Sequence, residues 1–234
     1  MKIRLAILGL IISSSMSAQM QDEATVKLKS VIVYDKPAFS ADSIYTLMKY
    51  ESVIVGTVED DTIFENVDWK PVEISRNKYS NVDIESSIAS FDDFFISGFV
   101  PVYSIETIDS LQKYDGKGIE LIFSIVKADT TQVPSKTRLQ YGLEIPLSLS
   151  YTVSDLYLRW NGELIQQDSS LFDDLYNVQF HEGNYSSSEN PNFKFYTKDD
   201  VIFIKQECGD GAGAYEITWV IWKGKIVQRL IDQI

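Results

Sequence analysis

Cys208 and His181 are the only thiol and the only imidazole in this chain. Such a pair can attack an acyl carbon when the thiol sits at a helix N-terminus, which lowers its pKa, and the imidazole acts as base. Here Cys208 closes a strand-like run, Val201–Gln206, and Gly209–Gly213 after it reads as loop. Glu207 and Asp210 beside it raise a thiol pKa rather than lower it. The expectation is a buried or loop thiol with no catalytic role. The run Gly209-Asp210-Gly211-Ala212-Gly213 lacks the lysine and the following helix of a phosphate loop. A strand pattern follows it, so a dinucleotide fingerprint is excluded as well, and a flexible turn is expected.

Carboxylates are the other reactive groups. Asp92-Asp93, Asp173-Asp174 and Asp199-Asp200 are adjacent pairs, but none has the spacing of a calcium loop. With one His and one Cys, a zinc site would need carboxylates for most of its ligands. No metal, cofactor or catalytic residue is assigned, and solvated acidic turns are expected. Two carboxylates suffice for glycoside hydrolysis, so a hydrolase of cell-wall or glycan substrates stays open, with no pair singled out.

The elements that must position these groups follow a leader. Lys2 and Arg4 precede the apolar run Leu5–Ile12, and the small-residue stretch Ser13–Ala18 follows. This is the layout of a signal peptide, residues 1–18, and the run is shorter than the roughly 20 residues of a membrane span. Cleavage after Ser17 or Ala18 leaves no cysteine at the new terminus. Export to the periplasm or beyond, without a lipid anchor or membrane insertion, is expected. The whole chain has 234 residues and a net charge of −13, which becomes about −15 once Lys2 and Arg4 are removed. That surface repels phosphate backbones and anionic lipid, so nucleic acid is excluded as a partner. A single cysteine allows no internal disulfide, and 44 % apolar residues leave the core to hold the fold.

Strand signals recur about every ten residues and helix signals are weak, which predicts an all-β protein. A first block runs from about residue 24 to 109. It has one extended segment over Val26–Val33, strands at Ile44–Leu47, Ser52–Val58, Trp69–Ile74 and Gly98–Val102, and an insertion at about 75–97. Pro71 inside the Trp69 strand predicts an edge or a bulge. A second β domain spans 118–234. Its strands are predicted at Ile119–Lys127 and Thr137–Ser150. A hairpin turns at Asn161-Gly162, a strand pair at Lys198-Asp199-Asp200 and a second hairpin at Lys223-Gly224.

The run from Val31 to Val55, VIVYDKPAFSADSIYTLMKYESVIV, resembles the opening of bacterial Src-homology-3-like domains. Trp69-Lys70-Pro71-Val72 matches the family's Trp-led strand, and Gly98-Phe99-Val100 its closing Gly–aromatic–Val. The gap between Trp69 and Gly98 is longer than the family's hairpin. The closing run from Gly209 to Ile231 resembles the tails of exported Bacteroidetes-type proteins, a likeness that carries no function. The first resemblance implies a small barrel, followed here by an antiparallel sheet or sandwich. It also implies recognition of a cell-wall peptide or an envelope protein through surface aromatics. Tyr34, Tyr50, Trp69 and Tyr103 are the candidate ligand-binding residues, with Phe39 beside them, and core filling is the competing role of Phe39 and Trp69. The expected function is non-catalytic binding. The alternatives are the hydrolase above and a small-ligand or lipid carrier enclosed by the aromatic-rich second domain. Ligand and oligomeric state are not assigned.

Overall fold

Strands β15 (Val201–Cys208) and β16 (Tyr215–Trp222) are buried along nearly their whole length. A strand that faces water on one side alternates, whereas one covered on both faces reads as a continuous apolar run. These two strands are the centre of a middle sheet with another sheet on each face. The computed structural model describes residues 22–56, 62–64, 67–75, 95–131, 141–142, 146–188, 190–209 and 213–233. The segment expected to be a signal peptide, 1–18, and most of the insertion expected at 75–97 lie outside the described residues.

The first sheet contains β1 (Asp22–Val26), β2 (Ser30–Tyr34), β3 (Ser43–Met48), β4 (Ser52–Val55), β5 (Thr62–Phe64), β6 (Val67–Ser75), β7 (Phe95–Pro101) and β8 (Ile105–Thr107). Its order is β3-β2-β7-β6-β4-β1-β8, with β5 on β6, and every pairing is antiparallel. Among the described residues these strands do not close into a ring, so no closed barrel forms and β3 and β8 remain open edges. The predicted single segment Val26–Val33 is in fact two strands. The chain bends over residues 27–29, which sends β1 to β4 and β8 but β2 to β3 and β7. After β8 the chain is drawn away, because Ile108 and Leu111 bury themselves against the middle sheet.

Pro71 lies in an interior strand with no register shift recorded against β7, not at an edge or bulge. Its carbonyl accepts from Gly56 N at 3.1 Å, just where β4 ends and before the pairing with β5 resumes at Trp69. The missing N–H faces Gly56, just past the end of β4, so the ladder forgoes a single bond at the break between two partner strands. Ser75 pairs with Phe95, so the segment between them departs from and returns to one hairpin.

The middle sheet contains β9 (Gln112–Lys113), β14 (Phe193–Lys198), β15, β16 and β17 (Lys225–Gln233), in the order β17-β16-β15-β14-β9. The third sheet contains β10 (Ile119–Lys127), β11 (Tyr151–Trp160), β12 (Glu163–Gln166) and β13 (Gly183–Ser186), in the order β12-β11-β10-β13. β10 has the predicted bounds. The strand predicted at Thr137–Ser150 is not found among the described residues there, which form a 3-10 turn at Leu147–Leu149; the strand starts at Tyr151. Leu121, Phe123, Leu156 and Leu158 of the third sheet and Ile204, Ile217, Trp219 and Ile221 of the middle sheet share one core. Tyr196, Val201, Phe203 and Val220 on the opposite face of the middle sheet pack with Ile108 and Leu111. Among the described residues, no helix is long and apolar enough to cross a membrane.

Candidate functional site

The turn between β3 and β4 is fixed by its own carboxylate. Glu51 accepts from Met48 N at 2.9 Å and from the Tyr45 hydroxyl at 3.2 Å, while Glu51 N donates to Met48 O at 3.0 Å. Tyr50 takes the left-handed conformation this turn needs, at φ 68°. Its hydroxyl donates to the Asp199 carboxylate, which also receives Lys49 Nζ at 3.3 Å. These contacts hold the Asp199 carboxyl below its ordinary pKa, Tyr50 contributing most. Burial first, and then the same carboxylate, push the Tyr50 hydroxyl up.

A groove of about 420 Å³ lies between this turn and the middle sheet. Met48, Tyr50, Val201, Val227 and Trp222 supply its apolar and aromatic lining, and Lys49, Glu51, Asp200 and Gln228 its polar groups. Trp222 is 43 % exposed, yet its indole N–H donates to Asp200 Oδ2 at 2.8 Å, so the ring is fixed although open to solvent. Gln228 ties the two sheets together: its Oε1 accepts from Ser52 N at 2.7 Å and its Nε2 donates to Ser52 O at 2.8 Å. Lys49 lies over the Tyr50 ring at 4.5 Å and Lys223 over the Trp222 ring at 4.4 Å. Such a lining can enclose one apolar or aromatic side chain and hydrogen-bond the main chain beside it.

The aromatics singled out from sequence divide among three places. Trp69 is 1 % exposed and packs against Phe39 at 4.9 Å and Tyr34 at 5.6 Å between ring centroids. It is buried beneath half-buried Tyr34 and exposed Phe39, on the face of β6 opposite the core residues Val72 and Ile74. Tyr50 lines the groove. Tyr103 is 57 % exposed on a 3-10 turn and is not part of the groove lining. Trp222 was missed by sequence reasoning. Its only local signal is a large aromatic at the last position of a strand, directly before the Lys223-Gly224 turn.

Behind the groove, the first and middle sheets meet through polar groups. Lys205 Nζ lies 2.7 Å from Glu216 Oε1, 3.0 Å from Asp109 Oδ2 and 3.6 Å from Glu23 Oε2. Thr218 donates its hydroxyl to Glu23. Burial, reinforced by the nearby Glu216 charge, pushes the Glu23 carboxyl up to about 8, against the pull of Lys205 and Thr218. Burial also raises Glu216, opposed by Lys205. Burial works against charge on Asp109 too, but hydrogen bonds from Tyr196 and Lys205 outweigh it and hold that carboxyl low. The seam has no side-chain exposure at Glu23, so it is closed to a substrate.

Cys208 is buried, and burial pushes its thiol well above the ordinary value, with Glu216 and Glu207 adding to the rise. His181 is exposed and contacts Gln179; among the described residues no hydrogen bond joins it to Cys208. Asp174 is buried in a bidentate pair with Arg229 at 2.7 and 2.8 Å. Asp92 and Asp93 lie outside the described residues, as do residues 210–212 of the glycine run. Among the described residues no three His, Cys, Asp or Glu side chains form a metal-binding group.

No family model matches the chain. No curated protein matches it. Among solved structures, NlpC1 from Trichomonas vaginalis is similar over 71 % of this chain and 50 % of that one, at 14 % identity and a TM-score of 0.24. The chain thus spans half the length of that protein, and a likeness of this size transfers neither fold nor activity.

Proposed function

We propose that this is an exported, non-catalytic binding protein that takes a side chain of a cell-wall peptide or an envelope protein into the groove between its first and middle sheets. Trp222 carries the reading. A half-exposed indole, fixed by Asp200 and facing Tyr50 and Met48 across a groove of about 420 Å³, is arranged as a binding anchor. The signal-peptide pattern of residues 1–18 supports export, and the acidic surface favours peptide or protein over nucleic acid. Retention of the mature protein on purified peptidoglycan and on immobilised envelope extract tests this. Wild type is retained, and Trp222→Ala loses about tenfold in affinity, the cost typical of a buried aromatic anchor. Equal retention of both proteins, or clearing of wall material in a zymogram, would sink the reading.

A further inference from the structure

Each sheet has two ends, and most of those ends are blunted. β8 has three residues, β9 two, and β12 and β13 four each. β17 is longer, but its residues from Ile226 to Asp232 are buried except for half-buried Val227. β3 is different. It runs for six residues, Ser43-Ile44-Tyr45-Thr46-Leu47-Met48, with no charge and no proline. Among the described residues no strand pairs with its outer edge, although at its end Met48 already exchanges N–H and C=O bonds with Glu51, which leaves Ser43–Leu47 open. Ile44 is 39 % and Met48 52 % exposed. An open, uncharged edge is a template for another strand, and proteins that do not use one protect it with lysine, proline or shortness. Met48, the last residue of β3, is also a wall of the groove.

We infer that β3 is a docking strand for an extended, positively charged segment of a partner protein or peptide. The segment's main chain continues the first sheet beyond Ser43–Leu47 as far as the Glu51 cap on Met48, and its side chain at that end enters the groove. This rests on the groove reading above. A strand added about 4.8 Å outside β3 runs past the Met48–Tyr50 turn, so backbone pairing and side-chain capture share one ligand. Charge selects the occupant. Two copies of a chain of net charge −13 repel one another, whereas a basic segment is attracted. Exposed Asp42 precedes the strand and Asp200 lies at its groove end, where Lys49 is already paired with Asp199.

An array of random hexapeptides with scrambled controls, followed by N-methylation of each amide of the best binders, tests the pairing without altering the protein's fold. The expected binders carry Lys or Arg. N-methylation weakens them about tenfold at every second amide and little in between, as strand pairing requires. Amide exchange slows within residues 43–47 when peptide binds. Trp222→Ala weakens binding but preserves the alternation. A flat N-methyl scan with Trp222-dependent binding overturns the docking strand and spares the groove. Alternation with a binding strength that Trp222→Ala leaves unchanged overturns the groove and spares the strand. Protection of residues 43–47 that grows with protein concentration alone, without peptide, overturns the proposal in favour of a second copy.

Discussion

Glu23 shows how one residue sets a pH dependence. Its side chain has no exposure, Thr218 donates to one oxygen, and Oε1 has no hydrogen-bond partner among the described residues. The carboxyl titrates at about 8 in the folded protein, against an ordinary value of 4.5. A raised folded pKa means that the folded state holds the proton more tightly than the unfolded chain. The stability this provides is complete below the ordinary value and is lost as pH rises through about 8. Urea unfolding at pH 5, 7 and 9 checks it. Wild type loses stability across that window, on the order of 4 kcal/mol from this group, and Glu23→Gln flattens that part of the slope. An equally steep profile in the variant would place the titration elsewhere. The charged groups facing Glu23 are Lys205, Glu216 and Asp232, all from the middle sheet. Nothing near Glu23 in sequence announces them, which is why the seam was not legible beforehand.

Among the elements, those set by local geometry were the ones sequence could predict. Asn161-Gly162 and Lys223-Gly224 both take the paired positive φ values of a tight hairpin, 50° and 89°, then 50° and 74°. The β10 bounds followed from its apolar alternation. The failures were long-range. Continuous burial of β15 and β16 comes from a second covering sheet, and the groove joins Tyr50 to Trp222, residues far apart in the chain. Gly98 is one element-scale position with a sharp expectation. A Cβ there would lie 2.6 Å from Val33 Cγ1, 2.7 Å from Ile44 Cδ1 and 2.8 Å from the Tyr34 carbonyl. The last of these is backbone and cannot swing away, so β2 and β7 must separate. Gly98→Ala is expected to cost roughly 1–3 kcal/mol, the usual penalty of overpacking, measured as a lower urea midpoint. A neutral variant would mean that β2 pairs loosely with β7.

At the scale of the whole molecule, the middle sheet is shared by both outer layers. Val201, Phe203 and Val220 are each worth roughly 1.5–3 kcal/mol when fully buried, and their cover comes with the first sheet and the segment that leaves it. A fragment of residues 112–233 is expected to bind a hydrophobic dye and to self-associate in sedimentation, whereas a chain of residues 22–233 does neither. A monomeric fragment with no dye signal would show that the second half stands alone. The stacking of the layers also differs from their order along the chain. Apart from two-residue β9, the middle layer is built from residues 193–233, after both outer sheets have been made. A chain emerging N-terminus first must therefore hold two finished faces open until their common partner arrives. The face built from Leu121, Phe123, Leu156 and Leu158 is oily and vulnerable during that wait. The other presents Glu23, Thr25 and Ser52, groups that water can satisfy, so the polar seam costly to the finished protein keeps the first sheet soluble while it waits.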